Sequence, residues 1–138
     1  MNLRSLLAIV ICAASSIAAP VPKELKRNGD AVRLQGVWVV TVGEPGAKGY
    51  RWTFEGEKLF AGGNADTKGI EYGLALRMNN SVREFDLSRD GRISHIGICK
   101  FIGDELHVVY HNHERPTEFS TAGGKNHLHV LKPFLESK

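Results

Sequence analysis

Residues 70–91 read IEYGLALRMNNSVREFDLSRDG. In residues 70–78 an apolar side chain falls on almost every second position, which places these side chains on one face of a β-strand. Asn79-Asn80 then turns the chain, and the residues that follow resume the same alternation. The stretch ends in Asp90-Gly91, a pair that favours a two-residue hairpin turn. These patterns predict consecutive antiparallel strands joined by tight turns.

The same pattern of β-branched and aromatic clusters between turn residues extends over the chain from Gln35 onward, and no later segment has helical periodicity. Eight strands joined mostly by short hairpins predict an all-β fold, an antiparallel up-and-down barrel whose closure removes exposed strand edges. A two-sheet sandwich is the alternative, although it usually needs longer connections. The predicted strands are Gln35–Val42, Tyr50–Phe54, Lys58–Ala61, Ile70–Met78, Arg83–Leu87, Arg92–Ile102, Glu105–His111 and Asn126–Phe134.

The composition is that of a single globular domain. The chain has 138 residues, of which 42% are hydrophobic and 24% charged, a balance that argues against global disorder. Its 15 glycines fit a fold with many turns. The formal net charge of +3 is too small to indicate a nucleic-acid partner.

The N-terminal residues have the pattern of a secretory signal peptide. Arg4 precedes an apolar run from Leu6 to Ala14, and small residues follow it, so we expect cleavage after Ala18. The run is shorter than the ~20 apolar residues of a membrane span, which disfavours a transmembrane anchor. The sequence therefore predicts a secreted or periplasmic protein with a signal peptide at 1–18, a lead-in segment at 19–34 and a barrel domain at 35–138.

The lead-in segment and the cysteines carry two further expectations. Residues 20–34 are polar and are compatible with a short helix, for which Asp30 is a plausible N-cap. Cys12 leaves with the signal peptide, so Cys99 is a single thiol that cannot form an internal disulfide. We expect Cys99 to be a small buried side chain rather than a reactive one.

Several short motifs occur in order and resemble a known family. Gly36-Val37-Trp38 opens the first strand and is similar to the Gly-x-Trp of the lipocalins and the wider calycin group. Together with Gly103-Asp104-Glu105-Leu106, the run RPTEFST at 115–121 and Val130-Leu131-Lys132, it resembles the uncharacterised lipocalin-like domain family common in planctomycete-type bacteria. The resemblance spans roughly residues 34–132 and implies a fold but no established activity. The chain departs from the family at Val109, where members often carry a cysteine.

The resemblance also implies how one end of the barrel is closed. In lipocalins the tryptophan after the first glycine plugs one end, and a basic side chain from late in the chain packs on it. Here Gly36 and Trp38 are the matching residues, and Lys132 or Arg115 is the candidate cation. Arg115-Pro116-Thr117-Glu118 is otherwise a structural crossing or, as the alternative, a binding loop with paired charges.

Histidines are concentrated near the C-terminus. Five of the six follow Leu106, and the weak candidates for a metal site are His107, His111, His127 and His129. If their two strands pair, imidazoles from both could converge on a zinc ion. The competing interpretation puts them on a solvated outer face, because Leu106, Val108 and Tyr110 claim the interior on one strand and Leu128 and Val130 on the other.

The inward face predicts the remaining candidate site. Eight residues are expected to share it and either line a small apolar cavity or fill a solid core. These residues are Tyr72, Leu74, Leu76, Phe85, Leu87, Leu106, Val108 and Tyr110.

The sequence predicts binding rather than catalysis. No nucleophile elbow, phosphate loop or zinc motif is present, and no cofactor is implied. The first hypothesis is an exported binding protein for a small hydrophobic ligand or a component of the cell envelope. The alternatives are an interaction module with a solid barrel and no ligand, and, ranked last, a metal protein built on the histidines. The oligomeric state stays open.

Overall fold

The computed structural model describes residues 29–79, 82–121 and 124–135. The predicted signal peptide and most of the lead-in segment lie outside the described residues, as does Asn80 of the Asn79-Asn80 turn. Within the described chain, no helix has the length and apolar character needed to cross a membrane.

The described chain forms one short helix and a closed antiparallel barrel of eight strands in sequence order. The predicted up-and-down barrel is therefore confirmed, and the alternative of two sheets is wrong, because β1 also pairs with β8. The elements are α1 (Gly29–Leu34), β1 (Gly36–Val42), β2 (Arg51–Glu55), β3 (Lys58–Gly63), β4 (Gly69–Asn79), β5 (Val82–Arg89), β6 (Arg92–Ile102), β7 (Glu105–His111) and β8 (His127–Pro133).

The hairpins form where the turn residues predicted them. Asp90 and Gly91 connect β5 to β6 with φ values of 55° and 75°, the left-handed region that a two-residue hairpin of this type requires. Asp30, the predicted N-cap, lies within α1 as the structure describes it.

The barrel has two different ends. We call the end where β1, β3, β5 and β7 begin the helix end, because α1 leads into β1 there. We call the opposite end the loop end. It carries the two long connections, 43–50 between β1 and β2 and 112–126 between β7 and β8, together with the hairpins at 64–68 and 90–91.

The middle of the barrel is filled. Its apolar side chains enclose a cavity of about 10 Å³, which is at the lower limit for a single water molecule. One close contact shows how tightly the layers fit: Phe85 on β5 faces Gly97 on β6, and its ring occupies the space that a side chain at Gly97 would need. The cavity is lined by Leu34, Trp52, Phe54, Leu59, Leu74, Leu76, Phe85, Cys99, Leu106 and Val108.

Trp38 closes the helix end. Its side chain is buried, its Nε1 donates a hydrogen bond to the carbonyl of Leu34 at 2.7 Å, and its ring packs 6.0 Å from that of Phe101. Gly36, two residues earlier, has φ +111°, a conformation that favours glycine. Since Leu34 is itself part of the core, α1 acts as the lid of this end.

The predicted cation on Trp38 is neither Lys132 nor Arg115. Lys132 pairs with Val39 on the outward face of β1 and β8 and is exposed, while Arg115 lies against β5 and β6. A cation does reach this end from α1: the Arg33 guanidinium lies 4.1 Å from the ring centre of Phe101, and Arg33 also donates to the carbonyl of Gly103. The cation recorded at this end thus comes from before the first strand, and it lies over Phe101, the ring that packs on Trp38.

A second apolar layer lies outside the barrel. Ile98 on β6 and Val109 on β7 are register partners that face outward, yet they are 3% and 0% exposed. The connection 112–126 covers this face. Its Pro116 is buried, and the ring centre of its Phe119 lies 4.2 Å from the Nζ of Lys100 on β6. The barrel wall is therefore buried on both sides along β6 and β7.

Replacement of Trp38 by Ala is expected to lower the free energy of unfolding by ~3–5 kcal/mol, because it removes a buried ring and leaves a cavity under α1. Val32→Ala, at a position that is 57% exposed on the same helix, is the control and is expected to change stability by less than about 0.5 kcal/mol. Denaturant melts measure both. A loss below 1 kcal/mol for Trp38→Ala would show that Trp38 is not the plug of this end.

Gly97→Ala tests the tight packing of the middle layer. The added Cβ would lie 2.3 Å from Cζ of Phe85 and 2.5 Å from the carbonyl oxygen of Val109, which is backbone and cannot move aside. We expect a loss of ~2–3 kcal/mol in denaturant melts, as for other overpacked cores. Wild-type stability in this variant would contradict a filled interior.

Candidate functional site

The histidines of β8 face into the barrel. His129 is the register partner of Val108, and His127 is the partner of Tyr110, so both imidazoles share the inward face of β7. The expectation that Leu128 and Val130 face the interior is wrong. These two apolar residues face outward, and Val130 is buried there although it is not part of the inner core. An apolar outer face beneath a covering connection has the same sequence pattern as an inner face.

Six rings meet at the loop end and form what we call the loop-end cluster. Tyr110 is its centre: its ring lies 5.5 Å from that of His95, 5.1 Å from that of His127 and 5.4 Å from that of His129. The rings close this end much as Trp38 closes the other. The members, drawn from β2, β4, β6, β7 and β8, are Trp52, Tyr72, His95, Tyr110, His127 and His129.

His129 is the deepest imidazole of the cluster. It is 5% exposed, and its ring packs 5.4 Å from that of Trp52. Its Nε2 lies 3.4 Å from the hydroxyl of Tyr110, a long contact, and its Nδ1 has no hydrogen-bond partner among the described residues. Burial lowers the pKa of His129, and the neighbouring His127 lowers it further. His129 is therefore held in the uncharged form at neutral pH.

His95 occupies the opposite side of Tyr110. Its ring stands edge-on to Tyr72 at 5.6 Å, and its Nδ1 lies 3.0 Å from the hydroxyl of Ser94. Burial lowers the pKa of His95. Burial, together with Tyr72, also raises the pKa of Tyr110, so the phenol at the centre stays protonated.

His127 is half-buried and is tied to the connection 43–50. Its Nδ1 contacts Oε1 of Glu44, which belongs to the connection 43–50. Gly43, the residue before, lies close to the ring of His129, because a Cβ built there would be 3.6 Å from Cδ2 of that imidazole. The connection 43–50 thus covers the two histidines of β8.

The structure does not bring the four predicted metal ligands together. His127 and His129 face inward, whereas His107 and His111 face outward on β7. His111 has a local role, since its Nδ1 accepts hydrogen bonds from the backbone N–H groups of His113 and Glu114. In the part of the chain that the structure describes, no group of three or more His, Cys, Asp or Glu side chains is placed to hold a metal ion.

The eight residues predicted for the inward face are all inside or at the end of the barrel. Leu74, Leu76, Phe85, Leu106 and Val108 line the 10 Å³ cavity, and Leu87 is buried in the same core. Tyr72 and Tyr110 belong instead to the loop-end cluster. Of the two arrangements that the sequence left open, the solid core is the one observed.

A network of charges holds the connection 112–126 against the barrel. Nη1 of Arg115 donates to the carbonyls of Phe85 and Gly97 at 3.2 and 2.9 Å, and Nη2 contacts Asp86 at 2.5 Å. Asp86 is shared with Arg77 on β4, at 2.8 Å. Burial alone would raise the pKa of Asp86, but hydrogen bonds from Arg77 and Arg115 outweigh it and keep that pKa below its ordinary value.

The surface of the loop end combines apolar side chains with a groove. Ile70 at the start of β4 is 46% exposed and Ile93 at the start of β6 is 62% exposed. Between them the pairing of β4 with β5 stops at Gly73 and Ser88, which leaves a groove of about 630 Å³ bordered by Ile70, Arg89 and Asp90.

Comparison with protein-family models, with curated proteins and with solved structures gave no match to this chain. What the chain does must therefore be argued from its geometry. Sequence reasoning missed three of the side chains that form the loop end, Glu44, Trp52 and His95. Trp52 and His95 lie on predicted strands. Each is two residues away from another inward-facing position on its strand, Phe54 and Gly97, and this spacing could have placed both side chains inside the barrel.

Arg115→Ala is expected to lower the free energy of unfolding by about 1.5–3 kcal/mol, because it removes charged hydrogen bonds to Asp86 and to two backbone carbonyls. Arg77→Ala is the matched control. The Arg77 side chain contacts the same carboxylate but is 49% exposed, so its loss is expected to cost less than ~1 kcal/mol. Equal effects of the two substitutions in denaturant melts would contradict the anchoring role of Arg115.

Proposed function

We propose that this protein is an exported, non-enzymatic interaction module: a lipocalin-like barrel with a solid interior that binds a protein partner of the cell envelope through its loop end. Export is supported by the signal-peptide pattern of residues 1–18, and the lipocalin-like assignment by the Gly-x-Trp motif at the closed helix end.

The filled interior is the observation that carries this proposal. Pockets for small molecules usually have volumes of ~300–1,000 Å³, whereas the cavity between the core residues of this barrel is about 10 Å³. Both ends of that space are blocked, by Trp38 and α1 on one side and by the loop-end cluster on the other. A hydrophobic ligand could enter only if several buried side chains moved. The hypothesis of a protein that carries a small hydrophobic ligand inside its barrel is therefore disfavoured.

The loop end supports the choice of contact surface. Tyr50, Ile70 and Ile93 are exposed there, and the half-buried rings of Tyr72 and His95 lie at the same end. Aromatic and aliphatic side chains beside polar groups that can donate and accept hydrogen bonds are typical of the centre of a protein–protein interface. The small net charge gives no reason to prefer a nucleic acid.

Native mass spectrometry of the purified chain tests the interior. We expect the bare mass of the protein and no change of Tm with fatty acids or related lipids, because no space exists to hold them. A stoichiometric small molecule that persists through purification, or a lipid-dependent rise of Tm, would establish the carrier hypothesis instead.

Site-specific photo-crosslinking tests the loop end. A photoreactive amino acid at Ile93 is expected to capture one discrete protein species in the producing cells, which mass spectrometry then identifies. Ile102, at the helix end of the same strand and 48% exposed, is the matched control and is expected to give no such species. Capture of the same species from both positions, or from neither, would contradict the proposed surface.

A further inference from the structure

We propose that the loop-end cluster is an acid-sensitive plug: uncharged His95 and His129 seal the loop end at neutral pH, and their protonation opens the ring packing there and exposes Trp52 and the apolar interior. The inference does not depend on the proposed partner.

The packing around His129 cannot accommodate a charge. A protonated imidazole must donate from both nitrogens, but Nδ1 of His129 has no partner and Nε2 has only the distant hydroxyl of Tyr110. The groups that face this ring are Trp52 from β2, Tyr110 from β7, His127 from β8 and the connection 43–50. The carboxylate of Glu44 in that connection already contacts His127.

His95 is half-buried on the other side of Tyr110, between two aromatic rings. The rings of Tyr72 from β4 and Tyr110 from β7 stand edge-on to it, and Leu87 from β5 is its register partner. The Ser94 hydroxyl is its one neutral hydrogen-bonding neighbour that the structure records. Protonation of His95 and His129 places two positive charges on opposite sides of Tyr110.

The direction of the pH dependence follows from the lowered pKa of both groups. Since an exposed imidazole has its pKa near 6.5, the open state binds more protons than the sealed state as the pH falls below that value. The plug is therefore stable above pH ~6.5 and weakens progressively below it. The carboxyl of Asp86, whose pKa lies below its ordinary value of 3.8, takes up its proton at a more acidic pH than the imidazoles.

The structure also indicates why the change is local. The helix end is closed by Trp38 and α1, which contain none of these imidazoles, and the connection 112–126 is held by Arg115. The connection 43–50 is tied to β1 by backbone hydrogen bonds between Val40 and residues 49 and 50, and its Ala47 packs against the core. Charging the cluster therefore acts first on the packing of its own rings.

The two tryptophans provide a direct test, because only one of them packs on the cluster. Trp38 and Trp52 are register partners on β1 and β2, but the Trp52 ring contacts His129, whereas the Trp38 ring packs on Phe101. Nuclear magnetic resonance of the indole N–H groups is recorded between pH 7.5 and about 4.5, a range that covers imidazole protonation and ends near the ordinary pKa of a glutamate, ~4.3. We expect the Trp52 resonance to change below pH ~6.5 together with increased binding of a hydrophobic dye. The Trp38 resonance, whose N–H is bonded to Leu34, is expected to stay in place.

Substitution identifies the titrating groups. With two imidazoles taking up protons, the equilibrium constant for opening grows by up to about a hundredfold per pH unit, and with one imidazole by about tenfold. In His129→Phe the equilibrium constant for opening is expected to grow by only about tenfold per pH unit. In the double variant His95→Phe/His129→Phe we expect no opening of the loop end as the pH falls. His113→Phe, at an exposed histidine of the same end, is the control and is expected to behave like the wild type.

Three results would overturn the proposal: an unchanged Trp52 resonance down to pH 4.5, simultaneous loss of both indole resonances, which means global unfolding, or a transition that survives in the double variant. If the double variant does not fold, the wild-type comparison of Trp52 with Trp38 decides alone.

Discussion

The narrow interior of an eight-stranded barrel is the constraint on which the rest of this structure depends. A barrel of this size has room inside for its own inward side chains or for one small ligand, and here the side chains occupy the space. Phe85 fits over Gly97 because that position has no side chain, and the remaining cavity measures about 10 Å³. Once the middle layer is filled, the two ends are the parts of the barrel that can differ in chemistry.

The two ends are closed by different means, and this difference carries the functional account. At the helix end an indole, a phenyl ring and a backbone carbonyl form a closure that does not titrate near neutral pH. At the loop end phenols and imidazoles pack around the indole of Trp52, and this packing favours uncharged His95 and His129. Aliphatic side chains at the same places would seal the barrel without this dependence on pH, so the histidines add a property that stability alone does not require.

Much of the fold could be predicted from the sequence, because β-strand alternation and turn residues are local. Residues 70–91 specify two strands and their turns, and closure follows from the number of strands and the shortness of their connections. The faces of β8 could not be predicted in this way. Leu128 and Val130 lie on an outer face that the connection 112–126 helps to cover, and that connection is held in place by Arg115 through its contacts with β5 and β6, which alternation along β8 does not reveal.

The same limit applies to the ends. A ring at the end of a barrel contacts residues from strands that are distant in sequence, as Tyr110 contacts His95 and Trp52. Likewise the cation at the helix end comes from α1, where Arg33 lies over Phe101, and not from β8. Alternation predicts which side chains point inward, but which of them meet depends on the register of all eight strands.

Exposure to xenon, observed through the methyl resonances of the interior, tests most directly the claim that the barrel is solid. Xenon binds in empty apolar cavities larger than itself, and the methyl groups of Leu74, Leu76 and Val108 line the space in question. The account predicts that these resonances do not change with xenon pressure at neutral pH. Saturable shifts at all three residues would reveal a cavity large enough for a ligand and would contradict it.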